Sequence, residues 1–286
     1  MARSRSSSGV PRDRFVRSIA SGICLTDRDR RLLIDLARHR IMSRSHIVRL
    51  GYFNSIARAN SRLRLLFDHA YVRRQFVPDG SYGAEALYQP GLASAELVTH
   101  ELGLDRSEAL KVCRLNVAPL FLAHSLKVLD LRIGFLECAK STDFEVRRWL
   151  SESESFHEYA LKDRSGKWKW HSLRPDACIT ASTASQTFNG FVECDLGNCS
   201  GRAFSEKIQR YSDYLSSGIY EETYQEAGFK VLTVTTGERR MRALLELSVV
   251  AKGPEFLFTT FASFESHGPY ASIWRSSLGS EGVLLL

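Results

Sequence analysis

Apolar positions between about residues 26 and 70 recur three and four residues apart, which is the spacing of helices that bury one face. Thr26 and Asp29 have the spacing of a capping box, so a first helix is predicted to begin near Thr26. Ser43 can cap a second, short helix that Gly51 ends. A third helix is predicted over residues 55–70. The pattern therefore predicts three short helices in succession.

The hydrophobic period changes after the third helix. Residues 71–77 alternate between apolar and polar side chains as a half-buried strand does, and residues 86–89 are predicted to form the return strand. A Pro-Asp-Gly turn signal separates them at residues 78–80. Three short helices followed by a hairpin is the order of a winged helix-turn-helix, so we predict that fold over residues 22–91.

The rest of the chain alternates between strands and helices. A helical connector is predicted over residues 92–116, followed by an amphipathic helix from about Pro119 to Cys138. The later strands are predicted at residues 144–150, 168–170, 174–180, 188–195, 229–235 and 256–260, and the later helices at residues 204–215 and 239–250. This order predicts a central mixed sheet flanked by helices in a domain over residues 117–286. The predicted fold class is therefore α+β.

The charge is unevenly distributed along the chain. Residues 1–75 hold 17 Arg, five Asp and neither Lys nor Glu, a net charge of +12, whereas the whole chain carries +7 and the remainder therefore −5. Such a basic module predicts a polyanionic partner, and we expect double-stranded DNA. Residues 1–21 are predicted to form a flexible basic arm along the phosphate backbone. Two alternatives stay open, a basic surface without a partner and a winged helix that docks proteins.

The third predicted helix would lie in the major groove, and the base of the hairpin would lie near phosphates or the minor groove. Arginine suits both places, because its planar guanidinium makes paired hydrogen bonds to guanine and to phosphate. The candidate DNA-binding residues are Arg58, Ser61, Arg62 and Arg64 on the helix and Arg73 and Arg74 on the hairpin. Arg58 and Arg62 are the leading candidates for base contacts.

Two classes of protein are disfavoured by composition. No apolar run approaches the roughly 20 residues that span a bilayer, and the N-terminal residues lack the apolar stretch of a secretory signal. The six cysteines form no Cys-x-x-Cys pair, so neither a zinc ribbon nor a thioredoxin-like site is indicated. We therefore expect a cytoplasmic protein with reduced cysteines and no membrane partner.

Three carboxylates in the second half could form a metal site. Glu193 and Asp195 share one face of a predicted strand, and Asp176 opens the strand before it. Converging carboxylates repel one another, and Mg²⁺ or Mn²⁺ would relieve that repulsion through the oxygen ligands these ions prefer. We therefore expect Asp176, Glu193 and Asp195 to be metal ligands and catalytic residues in phosphodiester hydrolysis. A solvated sheet edge is the alternative.

Two basic side chains complete the predicted catalytic set. Lys207 lies on the helix after the Glu193 strand, from which it could reach back to the carboxylates. His124 lies near the start of the predicted amphipathic helix. A lone histidine in that position is more often a helix cap or a core hydrogen-bonding group, and that alternative stays open for His124.

The spacing of Pro175-Asp176, Glu193-x-Asp195 and Lys207 resembles the PD-(D/E)xK nuclease superfamily. Asp195 stands where that motif has its lysine, and Lys207 would replace the missing amine from the helix. The resemblance implies a restriction-endonuclease-like domain with metal-dependent nuclease chemistry.

A longer resemblance covers about residues 24–275. The segments LTDRDRRLLIDLARHR, AHSLKVLDLR, RPDA, FVECDLGN, FSEKIQRYSDYL and KVLTVTTGERRMRALL occur in the order of the replication-relaxation family of plasmid and mobile-element proteins, which the chain resembles. The resemblance implies a role in plasmid or mobile-element replication or mobilisation. Replication or mobilisation proteins are then expected partners.

Two mechanisms fit these patterns. The chain could be a metal-dependent enzyme that nicks DNA near a site chosen by the winged helix. Alternatively, it could be a transcription or replication regulator whose inactive nuclease-like domain serves dimerisation or partner binding. Asp195 in the lysine position favours the regulator, whereas the order Asp176, Glu193, Lys207 favours the enzyme.

Overall fold

The computed structural model describes residues 16–17, 22–76, 85–163, 165–249 and 253–285. The chain divides into two compact units, residues 1–122 and 123–286. The predicted basic arm, apart from Val16 and Arg17, and the predicted turn at residues 78–80 lie outside the described residues. Within the part of the chain that is described, no helix is long and apolar enough to cross a membrane.

The first unit combines helices with a small antiparallel sheet. Its elements are the helices α1 (Asp27–His39), α2 (Arg44–Arg49), α3 (Ile56–Asp68), α4 (Ala95–Leu102) and α5 (Arg106–Arg114) and the strands β1 (Met42–Ser43), β2 (Val72–Phe76) and β3 (Ala86–Pro90). The three strands lie in the order β1-β3-β2. The helix starts predicted at Thr26 and Ser43 are confirmed, because each side chain accepts the backbone N–H three residues later in a capping box.

The segment predicted as a connector contributes to the core of the first unit. Val98 of α4 and Ala109 and Cys113 of α5 are fully buried and pack in one cluster with Ile34 of α1. Asp105 caps α5 through a capping box with Glu108. The predicted connector is thus helical, and its two helices pack against α1.

The second unit is built on a larger sheet. Its helices are α6 (Pro119–Ala139), which starts just before the unit boundary, α7 (Gly201–Ser216), α8 (Ile219–Tyr224), α9 (Glu238–Ser248) and α10 (Phe261–His267). Its strands are β4 (Glu145–Ser151), β5 (His157–Lys162), β6 (Trp168–Leu173), β7 (Ala177–Ser182), β8 (Thr187–Asp195), β9 (Lys230–Thr235), β10 (Glu255–Thr260), β11 (Trp274–Ser276) and β12 (Glu281–Val283). The sequence patterns did not predict β5, β11, β12, α8 and α10.

Seven strands form one mixed sheet in the order β12-β11-β10-β9-β8-β7-β4. Strand β7 runs antiparallel to β4 and β8, whereas β8, β9 and β10 run parallel to one another. Strands β5 and β6 form a separate two-stranded hairpin. The α+β class and the central mixed sheet flanked by helices are thus confirmed.

Helices cover both faces of the sheet. Val192 and Cys194 of β8 face one side, where they pack with Phe135 of α6. Phe191 faces the other side, where it packs with Tyr211 of α7. Because side chains alternate along a strand, the side that holds Phe191 also receives the next odd-numbered positions of β8.

The long helix α6 differs from its predicted one-sided pattern. Leu126, Leu129 and Ile133, whose spacing of three and four residues predicted one apolar stripe, are buried. A second stripe is buried against the sheet, at Val128, Leu131 and Phe135. The amphipathic prediction was therefore too narrow, since α6 buries apolar side chains on more than one side, as an interior helix does.

Candidate functional site

Asp176 and Glu193 lie opposite each other where β7 begins. Ala177 pairs with Val192 across the antiparallel ladder, so the preceding residue on β7 faces the following residue on β8. The Cys194 backbone N–H donates a 2.8 Å hydrogen bond to Asp176 Oδ2, which fixes the aspartate against β8. The hairpin pairing expected from the sequence therefore brings these two carboxylates together.

Helix α7 supplies two donors to Glu193. Lys207 Nζ donates to Glu193 Oε2 and the Tyr211 hydroxyl donates to Oε1, each at 2.5 Å. The two donors are four residues apart and therefore project from the same side of the helix. Glu193 is only 3% exposed, and Tyr211 is fully buried. Tyr211 is thus both a core residue and a hydrogen-bonding partner of the site.

Burial sets the protonation of Glu193. Loss of solvent, which is the largest cause, and the nearby Asp176 carboxylate together raise the pKa of Glu193 to about 7, even though the Lys207 ammonium and the Tyr211 hydroxyl act in the opposite direction. The same burial would lower the pKa of Lys207, but the two carboxylates reverse that and raise it. Lys207 is therefore charged, and Glu193 titrates near neutral pH.

His124 approaches Asp176 from α6. Its Nε2 lies 3.1 Å from Asp176 Oδ2. Burial alone would lower the pKa of His124, but the hydrogen bond and charge of Asp176 raise it above its usual value. Burial likewise disfavours the charged form of Asp176, yet His124 and Lys207 together hold its pKa below the usual range. The histidine is therefore part of the cluster and not an isolated cap.

Asp195 does not join this cluster. Its carboxylate accepts hydrogen bonds from Arg240 Nε and Nη2, both at 2.9 Å, and from the Thr235 hydroxyl. Arg240 also donates to the Cys199 carbonyl, which ties α9 to the loop after β8. Among the described residues, no three His, Cys, Asp or Glu side chains are arranged to hold a metal ion. The expected cluster of three carboxylates is therefore a pair, Asp176 and Glu193, because the third carboxylate, Asp195, binds Arg240 instead.

Arg240 was not recognised in the sequence. It lies 45 residues after Asp195, on the helix that follows the next strand. The available signal was a basic Glu-Arg-Arg segment directly after a buried strand, at the position where a helix begins. Such a segment is common on exposed helix surfaces, so its pairing became clear only in three dimensions.

The candidate DNA-binding arginines fall into two groups. Arg58 and Ser61 are exposed on α3, where Ile56 and Asn60 are exposed beside them. Asn60 accepts a hydrogen bond from Arg44 of α2. This exposed face of α3 is therefore the part of the predicted DNA surface that is accessible.

The other candidates make contacts inside the first unit. Arg62 binds Asp29 through Nε and Nη2 and also donates to the Cys24 carbonyl. Arg64 pairs with Asp68. Arg73 donates to the carbonyls of Pro90 and Leu115 and to the Asn116 side chain. The guanidinium of Arg74 lies 4.3 Å from the centre of the Phe67 ring, and burial lowers its pKa.

The position of Arg62 on the polar side of α3 predicted a DNA contact, but its guanidinium binds inside the first unit. Asp29 is fully buried and is also the third residue of the α1 capping box. Burial would raise the pKa of Asp29, but the Arg62 hydrogen bonds lower it overall. Arg62 therefore neutralises a buried carboxylate, and its role inside the unit comes before any contact with DNA.

The family model described as Replication-relaxation matches residues 33–231. The matched span runs from α1 into β9 and includes α3, His124, Asp176, Glu193 and Lys207. No curated protein and no solved structure matches the chain.

Proposed function

The chain belongs to the replication-relaxation family, and we propose that it binds duplex DNA through its first unit and nicks DNA at the Asp176–Glu193 pair with Mg²⁺ or Mn²⁺. The observation that carries the proposal is the placement of the partly buried Asp176 carboxylate opposite the buried Glu193 carboxylate, with Lys207 in contact with Glu193. The activity would belong to plasmid or mobile-element replication or mobilisation in the cytoplasm.

The first unit supports the DNA-binding part. Its order of three helices, with β1 between α1 and α2 and β2 paired with β3 after α3, supports the proposal of a winged helix in which α3 would be the recognition helix. Residues 1–75 carry a net charge of +12. We assign base contacts to Arg58 and Ser61, which are exposed, and we expect Arg62, Arg64, Arg73 and Arg74 to contribute through the shape of the unit and its positive field.

The second unit supports the metal-dependent part. Mg²⁺ in enzymes is commonly held by one or two carboxylates together with substrate phosphates, so Asp176 and Glu193 are a sufficient protein contribution. Without a cation, Lys207 and His124 compensate the negative charge of the pair. When bound, the cation would polarise the phosphoryl group and lower the pKa of a water molecule.

The side chains of the site have separate roles in this proposal. Asp176 and Glu193 hold the cation, with Asp176 positioned by the Cys194 N–H and His124, and Glu193 positioned by Tyr211. Lys207 lies beside Glu193 and is charged, so it can donate to phosphate oxygens and stabilise the charge that develops on them during cleavage. Asp195 has no part in this chemistry and fixes α9.

The test is a nicking assay on supercoiled plasmid with Mg²⁺, Mn²⁺ or EDTA. Asp176→Asn and Glu193→Gln should each abolish metal-dependent nicking while leaving duplex binding intact. Glu206→Gln is the matched control, because Glu206 lies on α7 next to Lys207 but pairs with the exposed Arg202. Equal nicking by wild type and both site variants would show that the activity comes from elsewhere.

A second function follows from Asp195. Because Asp195 pairs with Arg240 in the position where the nuclease motif has lysine, the second unit could serve a regulator that binds DNA but does not cut it. In that case the wild type would bind duplex DNA and form homodimers in light scattering. It would produce no nicked product at any metal concentration.

A further inference from the structure

The β5–β6 hairpin carries an unusual outer surface. Cross-strand pairs alternate between the two faces of the hairpin. One face holds the pairs Tyr159–His171 and Leu161–Lys169. The other face holds the pair Ala160–Trp170. Tyr159 is fully buried, and its hydroxyl donates to the Arg210 carbonyl of α7. The first face therefore anchors the hairpin to the second unit.

The opposite face presents two tryptophans. Trp168 is 62% exposed and Trp170 is 74% exposed, although indole rings are among the side chains that gain most from burial. Trp170 stands opposite Ala160, whose small side chain leaves the indole uncovered. Trp168 stands opposite Lys162, whose ammonium lies 5.1 Å from the centre of the indole ring. The face thus combines open aromatic rings with a cation.

The charge of the hairpin contrasts with that of its surroundings. Residues 157–174 contain five Lys or Arg and two Asp or Glu, a net charge of +3. The chain after residue 75 carries −5 as a whole. Positive charge interleaved with exposed aromatic rings is the combination that binds single-stranded nucleic acid, since the bases stack on the rings and the phosphates meet the cations.

The hairpin also leads directly into the catalytic pair. Strand β6 ends at Leu173, and Asp176 follows three residues later. Between them, the Arg174 guanidinium lies 4.5 Å from the centre of the Phe156 ring, which joins the two ends of the hairpin. Trp170 is therefore six residues before Asp176 in the chain.

We propose that Trp168 and Trp170 form a stacking platform for unpaired DNA bases and that the substrate class of the site is DNA with a locally separated strand. The substrate assignment rests on the proposed nicking function, whereas the platform itself requires only binding. Paired bases stay stacked inside a duplex and offer no faces to the indoles, so single-stranded DNA is favoured over intact duplex.

The experiment measures binding of the full chain in EDTA, where metal-dependent cleavage cannot occur. A labelled oligo(dT) strand and a duplex of equal length are titrated separately, with anisotropy as readout. The Trp168→Ala/Trp170→Ala variant should lose about tenfold or more in affinity for oligo(dT), since stacking contributes that much per base or more. Its affinity for the duplex, which the first unit binds, should change less than about twofold.

Two further variants separate stacking from general effects. Trp168→Phe/Trp170→Phe should restore most of the oligo(dT) affinity. Leu278→Ala, which removes an apolar side chain that is 79% exposed elsewhere on the second unit, should have no effect. Fluorescence of the unmodified chain gives an independent measurement. Trp274 is fully buried and Trp149 is partly buried against the core, so oligo(dT) should quench the more exposed part of the emission, which comes from Trp168 and Trp170.

Several results would overturn the platform. These are equal losses for oligo(dT) and duplex, absence of quenching, or tryptophan-dependent binding to anionic lipid vesicles with none to oligo(dT). If the wild type does not nick DNA but binds oligo(dT) through the tryptophans, the catalytic proposal is wrong and the stacking platform stands. If the Trp168→Ala/Trp170→Ala variant loses oligo(dT) binding but nicks DNA as the wild type does, only the substrate assignment is wrong.

Discussion

Lys207 and Glu193 form a partly buried ion pair that joins α7 to β8, with Lys207 Nζ donating to Glu193 Oε2. The lysine faces a carboxyl group whose pKa is raised to about 7, and the second carboxylate of the site, Asp176, lies opposite. The pair is therefore the place where protons, cations and phosphate would compete. Its electrostatics lead to the first two predictions.

Glu193→Gln should change how stability depends on pH. The folded protein holds a proton on Glu193 up to a pKa of about 7, whereas the unfolded chain releases it near the ordinary value of 4.5. Between these values the folded state binds more protons, so this group lowers the free energy of unfolding as pH rises. Urea unfolding at several values between pH 5 and 8 should show that decline in the wild type and less of it in the variant.

The comparison between wild type and variant is necessary because His157 raises the free energy of unfolding as pH rises, which is opposite to the effect of Glu193. Burial lowers the pKa of His157 to about 4, so its contribution is lost as pH falls from about 6.5 toward 4. Both proteins share that contribution, so the difference between them reports on Glu193 together with His124 and Lys207, whose pKa values Glu193 raises. Identical pH profiles would mean that Glu193 is charged throughout the range.

Mg²⁺ or Mn²⁺ should raise the melting temperature of the wild type. A ligand at 100 times its dissociation constant adds about 2.7 kcal/mol to the free energy of unfolding. The response should increase from pH 6 to pH 8, because Glu193 and His124 must release protons before a cation can replace them. Differential scanning fluorimetry at each pH gives the measurement.

Two variants locate that response. Asp176→Asn/Glu193→Gln should lose the metal shift. Asp195→Asn should keep it, although its baseline stability falls, because Asp195 binds Arg240 and Thr235 instead of the pair. A metal response that disappears in Asp195→Asn and persists in the double variant would place the cation elsewhere.

Arg58→Ala and Arg62→Ala should act on different properties. Arg62→Ala leaves the buried Asp29 carboxylate without its cation, so the first unit should lose about 3 kcal/mol of stability. Arg58→Ala removes only an exposed side chain, so stability should stay within about 0.5 kcal/mol while sequence-specific DNA affinity falls. Thermal unfolding and anisotropy with cognate and random duplexes separate the two effects. Equal stability of the two variants would contradict the assignment of Arg62.

Binding of the full chain to duplex DNA should depend strongly on salt. A contact set of about five phosphates predicts a slope of about −4 to −5 when the logarithm of affinity is plotted against the logarithm of salt concentration. The reason is that DNA releases bound counterions when the arginine-rich first unit neutralises its phosphates. The first 75 residues carry a net charge of +12. Anisotropy titrations between 50 and 300 mM salt, about the range where such slopes are resolved, provide the measurement. A slope near zero would exclude an electrostatic interface.

Features that depend on near neighbours could be predicted from the sequence. The capping boxes at Thr26 and Ser43, the change of period after α3 and the shared face of Glu193 and Asp195 all involve residues a few positions apart. The pairing of β7 with β8 was equally accessible, because a short hairpin leaves little choice of partner. These local rules were sufficient to predict that a mixed sheet exists, although not its strands β11 and β12, and to predict the Asp176–Glu193 pair.

The choice of partner for each charged side chain required the tertiary structure. Glu193 and Asp195 have the same side-chain direction, but Lys207 reaches one and Arg240 reaches the other from helices 14 and 45 residues away. Arg58 and Arg62 are one helical turn apart, yet only Arg62 meets the buried Asp29, 33 residues earlier in the chain. The sequence alone determined which residues carry charge and which face of an element they share. Folding decided which charges meet, because the strength of an ion pair depends on distance and burial and not on separation along the chain.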